Sequence, residues 1–219
     1  HEGTKQAVAL QVRVGLEAVC IERMDTEFTL TRGQSLGGRL PLNAGAAPRV
    51  LLAFSERRIQ RAWSSKYFQR GHAERVTDKT ITNVAELRRR IQVIRTRRYE
   101  ISDGDTVTDG ASIGVPIFNR AMQCIAAISL AGSTEVLLHP DRLPAYRSAA
   151  LEAAHEIGRT IRSLPRVETW HVTEASRFEG WSSIPSPRPP ESTQSAGSRT
   201  VPAHPRIPGV STHPPILVH

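Results

Sequence analysis

The chain has 219 residues, 39% of them hydrophobic, and 29 Lys and Arg against 21 Asp and Glu give a net charge of +8. That is room for one ordinary domain with a remainder, or for two small ones. Two cysteines, Cys20 and Cys124, are too few for a disulfide-stapled secreted scaffold; each lies in a short apolar run and reads as a buried free thiol, with a single bridge as the alternative. No stretch of about 18 apolar residues exists to cross a membrane, and the start His1-Glu2-Gly3-Thr4-Lys5 has no apolar signal-peptide core. The expectation is a cytoplasmic chain without membrane contact.

In chain order, residues 5–13 alternate, with Val8, Leu10 and Val12 on one side. Residues 17–24 form a second strand around Ala18, Val19, Cys20 and Ile21, and the Val14-Gly15-Leu16 connection predicts an antiparallel hairpin. Residues 27–32 alternate again, and Gly37-Gly38-Arg39-Leu40-Pro41-Leu42 reads as a loop leading into a helix. That helix would carry Val50, Leu51 and Leu52, with Asn43 as N-cap and Pro48 tolerated only in its first turn. Residues 55–69 read as a basic helix capped by Ser55. Asn83 followed by Glu86 resembles a capping box, opening a helix with Val84, Leu87, Ile91 and Ile94 on one stripe and arginines opposite.

A short strand near residues 99–102 precedes the turn signals Asp103-Gly104-Asp105 and Thr108-Asp109-Gly110. Residues 111–118 and 122–131 are apolar strands joined by a reversal at Asn119-Arg120, and Pro116 marks an edge or a bulge. Residues 141–164 form a long helix with Ala150, Ala154, Ile157, Ile161 and Leu164 on one face, stopped by Pro165. Antiparallel strands with segregated helices make an α+β domain over 1–164, not a doubly wound one. Ten of the 15 prolines lie in 165–219, a Pro/Ser-rich segment without sustained period that is expected to be a disordered tail.

Charge is uneven. Residues 56–98 hold 13 basic and 4 acidic residues. Such a stretch is a solvated helix surface or, more sharply, a basic module that binds nucleic acid or an acidic protein. Aromatic residues that could stack on bases are few there: Trp63, Tyr67, Phe68 and Tyr99. No phosphate-cradling glycine loop, His-Glu-x-x-His or Cys-x-x-Cys occurs, and the eight histidines lack metal-ligand spacing. Neither Ser112 nor Ser129 sits in a nucleophile elbow, and Asp103, Asp105 and Asp109 read as turn chemistry. No enzyme activity, cofactor or metal is expected. Small and hydroxyl-bearing residues at strand centres (Ser112, Ser129, Ala131, Gly132), and Ala44-Gly45-Ala46-Ala47 opening a helix, fit a small-molecule pocket or close packing.

Several ordered stretches carry a resemblance. They are Ala18-Val19-Cys20-Ile21-Glu22-Arg23; Leu36-Gly37-Gly38-Arg39-Leu40-Pro41-Leu42-Asn43-Ala44 followed by Val50-Leu51-Leu52-Ala53-Phe54; Thr80-Ile81-Thr82 with Leu87, Ile94-Arg95 and Tyr99; Gly114-Val115-Pro116-Ile117-Phe118-Asn119; and Ile125-Ala126-Ala127-Ile128-Ser129-Leu130-Ala131-Gly132. In this order residues 1–164 resemble the effector-binding domain of the IclR family of bacterial transcriptional regulators. The resemblance implies a GAF-like fold, a pocket near Leu40, Ala46, Ala47, Ser112, Ser129 and Ala131, and Ser102 and Asp103 flanking it. It also implies a small metabolite effector, such as a carboxylate or aromatic acid, in a homodimer or tetramer. DNA contact would come only through the family's winged helix-turn-helix. No such pattern occurs in residues 1–164, and the chain starts almost at the first strand of this domain. Departures are Asn43 for the usual His, Pro48-Arg49 for Gly-Lys, Arg98 for the Gly before Tyr99, Ser102 where some members have an acid, and Ala131 where some carry a hydroxyl. If position 98 needs a positive φ, Arg98 carries a strain that Gly avoids.

Overall fold

The hairpin at the start of the chain forms as its alternation predicts. The computed structural model describes residues 4–26, 35–68 and 71–164, the side chain of Phe68 excepted. The strand read over 27–32 and the tail 165–219 lie outside the described residues. Strands β1 (Ala7–Val14) and β2 (Glu17–Met24) pair antiparallel with Val14 opposite Glu17. Next to β2 stands β3 (Arg39–Pro41), Leu40 opposite Ala18, where a loop is expected from the sequence. Three residues are too few to show a strand's period; pairing with β2 defines this strand.

Helix α1 (Ala46–Ala53) follows, with all eight residues buried. Its N-cap is Gly45 at φ +91°, not Asn43. Asn43 is fully buried, and its side-chain amide donates instead to the carbonyls of Glu74 (2.6 Å) and Ile81 (3.1 Å), tying down the loop between the next two helices. Pro48 sits in the first turn of α1, where its missing N–H interrupts no helical bond. Helix α2 (Arg57–Phe68) buries Trp63 and Tyr67 one turn apart, ring centroids 4.8 Å apart. Ser55 does not cap it; its hydroxyl donates back to the Leu51 carbonyl. In α3 (Val84–Arg97) the expected stripe of Val84, Leu87, Ile91 and Ile94 is buried, and the Asn83 side chain accepts from Glu86 N–H at 2.9 Å.

Strands β4 (Glu100–Asp103), β5 (Gly110–Phe118) and β6 (Cys124–Ser133) follow, then the short helix α4 (Thr134–Leu137), unmarked in the sequence reading, and α5 (Leu143–Ser163). All six strands join one antiparallel sheet in the order β3-β2-β1-β6-β5-β4. Pro116 lies where β4 has already ended opposite Gly114, so β5 is locally an edge; a register shift follows at Ile117/Phe118. Helix α5 ends at Ser163 rather than 164. Leu164 turns extended (ψ 141°), as a residue before proline must, and is 53% exposed instead of lying on the apolar face, where Gly158 is buried with Ala150 and Ala154.

Alternation sorts the sheet into two faces. One sends Ala111, Ile113, Val115 and Ile117 of β5, with Leu130 of β6, against Ala150 and Ala154 of α5. The other receives α1, backed by α2 and α3 in a second cluster of Val50, Leu52, Trp63, Leu87 and Ile94. The expected α+β architecture with segregated helices is therefore a sheet between two helical layers.

Candidate functional site

The α1 face of the sheet is built from small and polar residues, and the register shows why. Opposed residues share a face. Ser102 of β4 stands opposite Ser112 of β5, which stands opposite Ala131 of β6, which stands opposite Ala7 of β1. One step along, Glu100, Gly114, Ser129 and Ala9 make a second row. Helix α1 lands on these rows. Ala46 N–H donates to Ser112 Oγ at 3.4 Å, and Ser129 Oγ donates to the Ala9 carbonyl at 3.5 Å. A Cβ on Gly114 would lie 2.6 Å from the Ala46 carbonyl carbon and from the Ala47 nitrogen, so only glycine lets the helix backbone come this close.

The structure thus brings Ala46, Ala47, Ser102, Ser112, Ser129 and Ala131 to one face, all but the half-buried Ala131 shielded from solvent. Leu40 is buried on β3, at the opposite end of the strand order. Asp103 is not brought to the group. It lies one residue out of phase on β4, is exposed, and is held by the Thr134 hydroxyl (2.9 Å) and Lys79 Nζ (3.5 Å).

Beside the face runs a buried charge network that sequence reasoning did not assemble. Arg49 of α1 is 2% exposed; its Nε donates to Glu100 Oε1 at 2.8 Å, and its Nη1 to Asp105 and to the Asn43 carbonyl. Burial opposes the Arg49 charge, but the attraction of Asp105 and then Glu100 outweighs it and holds the guanidinium above its ordinary value. Arg90 makes a second clamp on Glu100 (2.8 and 3.0 Å), while Asp105 accepts from the Ser102 hydroxyl and its carbonyl from Thr80. Two arginines therefore meet two carboxylates, and the network is neutral. Asp105, read as turn chemistry, is buried in it. The available signal was Arg49 itself, a charge inside the otherwise apolar run from Ala46 to Ala53; its partners lie 51 and 56 residues away.

The face offers no activated nucleophile. Both cysteines are free, Cys20 buried and Cys124 half-buried. Burial pushes the Cys124 thiol up to about 12 and also raises Cys20, the opposite of what a reactive thiolate needs. What the arrangement can do is bind. Helix α1 has no side-chain cap, so its first N–H groups are the natural partners of an anion, and serine hydroxyls and small side chains surround them.

Residues 1–159 match the family model described as "Bacterial transcriptional regulator IclR C-terminal". The chain is 33% identical over 156 residues to the HTH-type transcriptional regulator KipR of Bacillus subtilis, covering 71% of this chain and 60% of that protein. It is 27% identical over 135 residues to the Pca operon regulatory protein of Acinetobacter baylyi, covering 60% of this chain and 47% of that protein. It spans only about half to three fifths of these relatives' length. Among solved structures it resembles the Thermotoga maritima IclR (TM-score 0.64, 24% identity, 73% of this chain and 63% of that one). It also resembles a double mutant of the inducer-binding domain of the PobR transcription factor from Acinetobacter, solved with 3-hydroxybenzoic acid (TM-score 0.62, 26% identity, 72% and 90%). The chain belongs to the IclR family of bacterial transcriptional regulators, a family of regulators rather than enzymes, and corresponds to their C-terminal, effector-binding domain.

Proposed function

We propose that this chain senses a small anionic metabolite, a carboxylate or aromatic acid, on the α1 face of the sheet, and performs no catalysis. The observation that carries the reading is the uncapped N-terminus of α1 laid over Ser112, Ser129 and Ala131, with the Ala46 N–H bonded only to a side-chain hydroxyl that a carboxylate can replace. The helix dipole favours the negative group. PobR supports the class of ligand, since its inducer-binding domain was solved with an aromatic acid. The face is nearly closed in this arrangement, so a ligand must favour a second, slightly opened one. The mechanism is a population shift that alters how copies of the chain assemble as dimer or tetramer. Sequence-specific DNA contact in such a regulator needs a helix-turn-helix, and the described elements supply none. No described helix is long and apolar enough to cross a membrane; the cytoplasm is proposed on the family's account.

The test is isothermal titration of the full chain against a panel of small carboxylates and hydroxybenzoates, with sedimentation in parallel. A binder is expected whose affinity falls at least tenfold in Ala131→Leu, which fills the half-buried edge of the face, while folding is kept. Absence of heat and of thermal shift across the whole panel would sink the proposal.

A further inference from the structure

The basic stretch has a geometry of its own. Arg57 and Arg61 stand one turn apart on α2, Arg88 and Arg95 two turns apart on α3, and all four line one groove of about 650 Å³ between the helices. Among the described residues, no Asp or Glu lines it. Its base is apolar, formed by Leu52, Trp63 and Ile91. The neighbouring arginines are engaged: Arg58 pairs with Glu56 and Arg90 with Glu100. Among the described residues, Arg57, Arg61 and Arg88 have no ion-pair or hydrogen-bond partner and are exposed. Arg95 is anchored through Nε on the Ala53 carbonyl (2.8 Å), which fixes its side chain without neutralising it. Trp63 is 1% exposed, and its indole N–H finds no acceptor among the described residues.

Single-sign charge in a concave site focuses its field on an incoming counter-ion. Like charges one turn apart on a helix repel, so Arg57 and Arg61 destabilise α2 slightly unless an anion lies between them. The volume is that of a small-ligand site, and guanidinium forks match phosphate and carboxylate geometry. Single-stranded nucleic acid needs aromatic faces to stack on, and here Trp63 and Tyr67 are buried in the core.

We propose that the α2–α3 groove is a binding site for a small polyanion bearing phosphate groups or several carboxylates, distinct from the α1 face. The experiment titrates the full chain with inorganic tripolyphosphate and, in a separate arm, citrate, which tell phosphate from carboxylate chemistry. One ligand per chain is expected, with affinity falling as salt rises from about 0.05 to 0.5 M. Arg61→Gln/Arg88→Gln is expected to weaken it tenfold or more, and the double Lys variant to weaken it less, because it keeps charge but loses the fork. Arg159→Gln on α5, and Ala131→Leu on the α1 face, are expected to leave it unchanged. No binding of either probe at low salt, or equal binding by the Gln variant, would overturn the site. Binding of duplex DNA or an acidic peptide to the groove when neither small probe binds would likewise overturn it and assign the groove to a macromolecule.

Discussion

Two arginine-bearing regions of this domain, a few helical turns apart, use the same side chain in opposite ways. Around α1, Arg49 and Arg90 face Glu100 and Asp105, every charge is matched, and Arg49 is sealed from water. Between α2 and α3, Arg57, Arg61 and Arg88 face no carboxylate and lie open to solvent. The first region holds α1 on the sheet, and removing one partner leaves a buried charge. The arginines of the second contribute nothing to the core, and their charge is available to something outside the chain. Net charge alone does not separate them; burial and pairing do.

The comparison breaks most sharply at Arg49. Arg49→Met removes the guanidinium and leaves Asp105 and half of Glu100 uncompensated in the interior, an effect of about 3–5 kcal/mol. Urea unfolding should show a loss of that size. A loss no larger than for an exposed arginine would mean that Arg90 and the hydroxyls already satisfy the carboxylates. Next in size is Gly114→Ala, which drives a methyl into the backbone of Ala46 and Ala47. Overpacking against unyielding atoms costs about 1–3 kcal/mol, and because it lifts α1 from Ser112 it is also expected to alter effector affinity. Thermal unfolding and carboxylate titration on the same variant check both parts.

A smaller effect separates backbone strain from side-chain contact at Arg98. This residue closes α3 in the left-handed region, φ +61°, and holds its guanidinium 5.4 Å from the Phe118 ring centre. Arg98→Gly and Arg98→Ala lose the ring contact alike, but only Gly relieves the strain, so Gly is expected to be the more stable by about 1 kcal/mol. Equal stabilities would show that the αL turn relaxes when the side chain is shortened.

Much of this was legible in the chain. Period-3.6 spacing at Val84, Leu87, Ile91 and Ile94 is a local signal that burial repeats, whereas in β1 the period-2 face of Val8, Leu10 and Val12 is only half-buried and the residues between them, Ala9 and Gln11, are the buried ones. The departure at Arg98 pointed correctly to a positive φ. Ser112, Ser129 and Ala131 stood out as small and hydroxyl-bearing residues at strand centres, but Ser102 joined them only through the resemblance, since nothing local says that three strands will align them. The rest was not legible because it is non-local. Asn43 looked like a cap because its neighbours looked like a helix start, whereas its partners Glu74 and Ile81 lie more than 30 residues on. Asp103 and Asp105 are indistinguishable as turn acids until the β4 register exposes one and the Arg49 network buries the other. Three-residue β3 and four-residue α4 are shorter than any period that could reveal them.

The smallest expected effect is the most informative about the groove. Arg57→Gln, Arg61→Gln and Arg88→Gln each remove a surface charge without a partner, and such changes shift stability by no more than about 0.5 kcal/mol. The sign matters more than the size. If these residues are held against mutual repulsion, the triple variant should unfold at the same temperature as the parent or higher at low salt. The difference should vanish as salt screens the repulsion. Adding tripolyphosphate should then raise the parent's unfolding temperature and not the variant's, since a ligand stabilises the folded state only where it binds. A triple variant that loses stability as Arg49→Met does would place these arginines in the structural class of the first region and remove the contrast between the two.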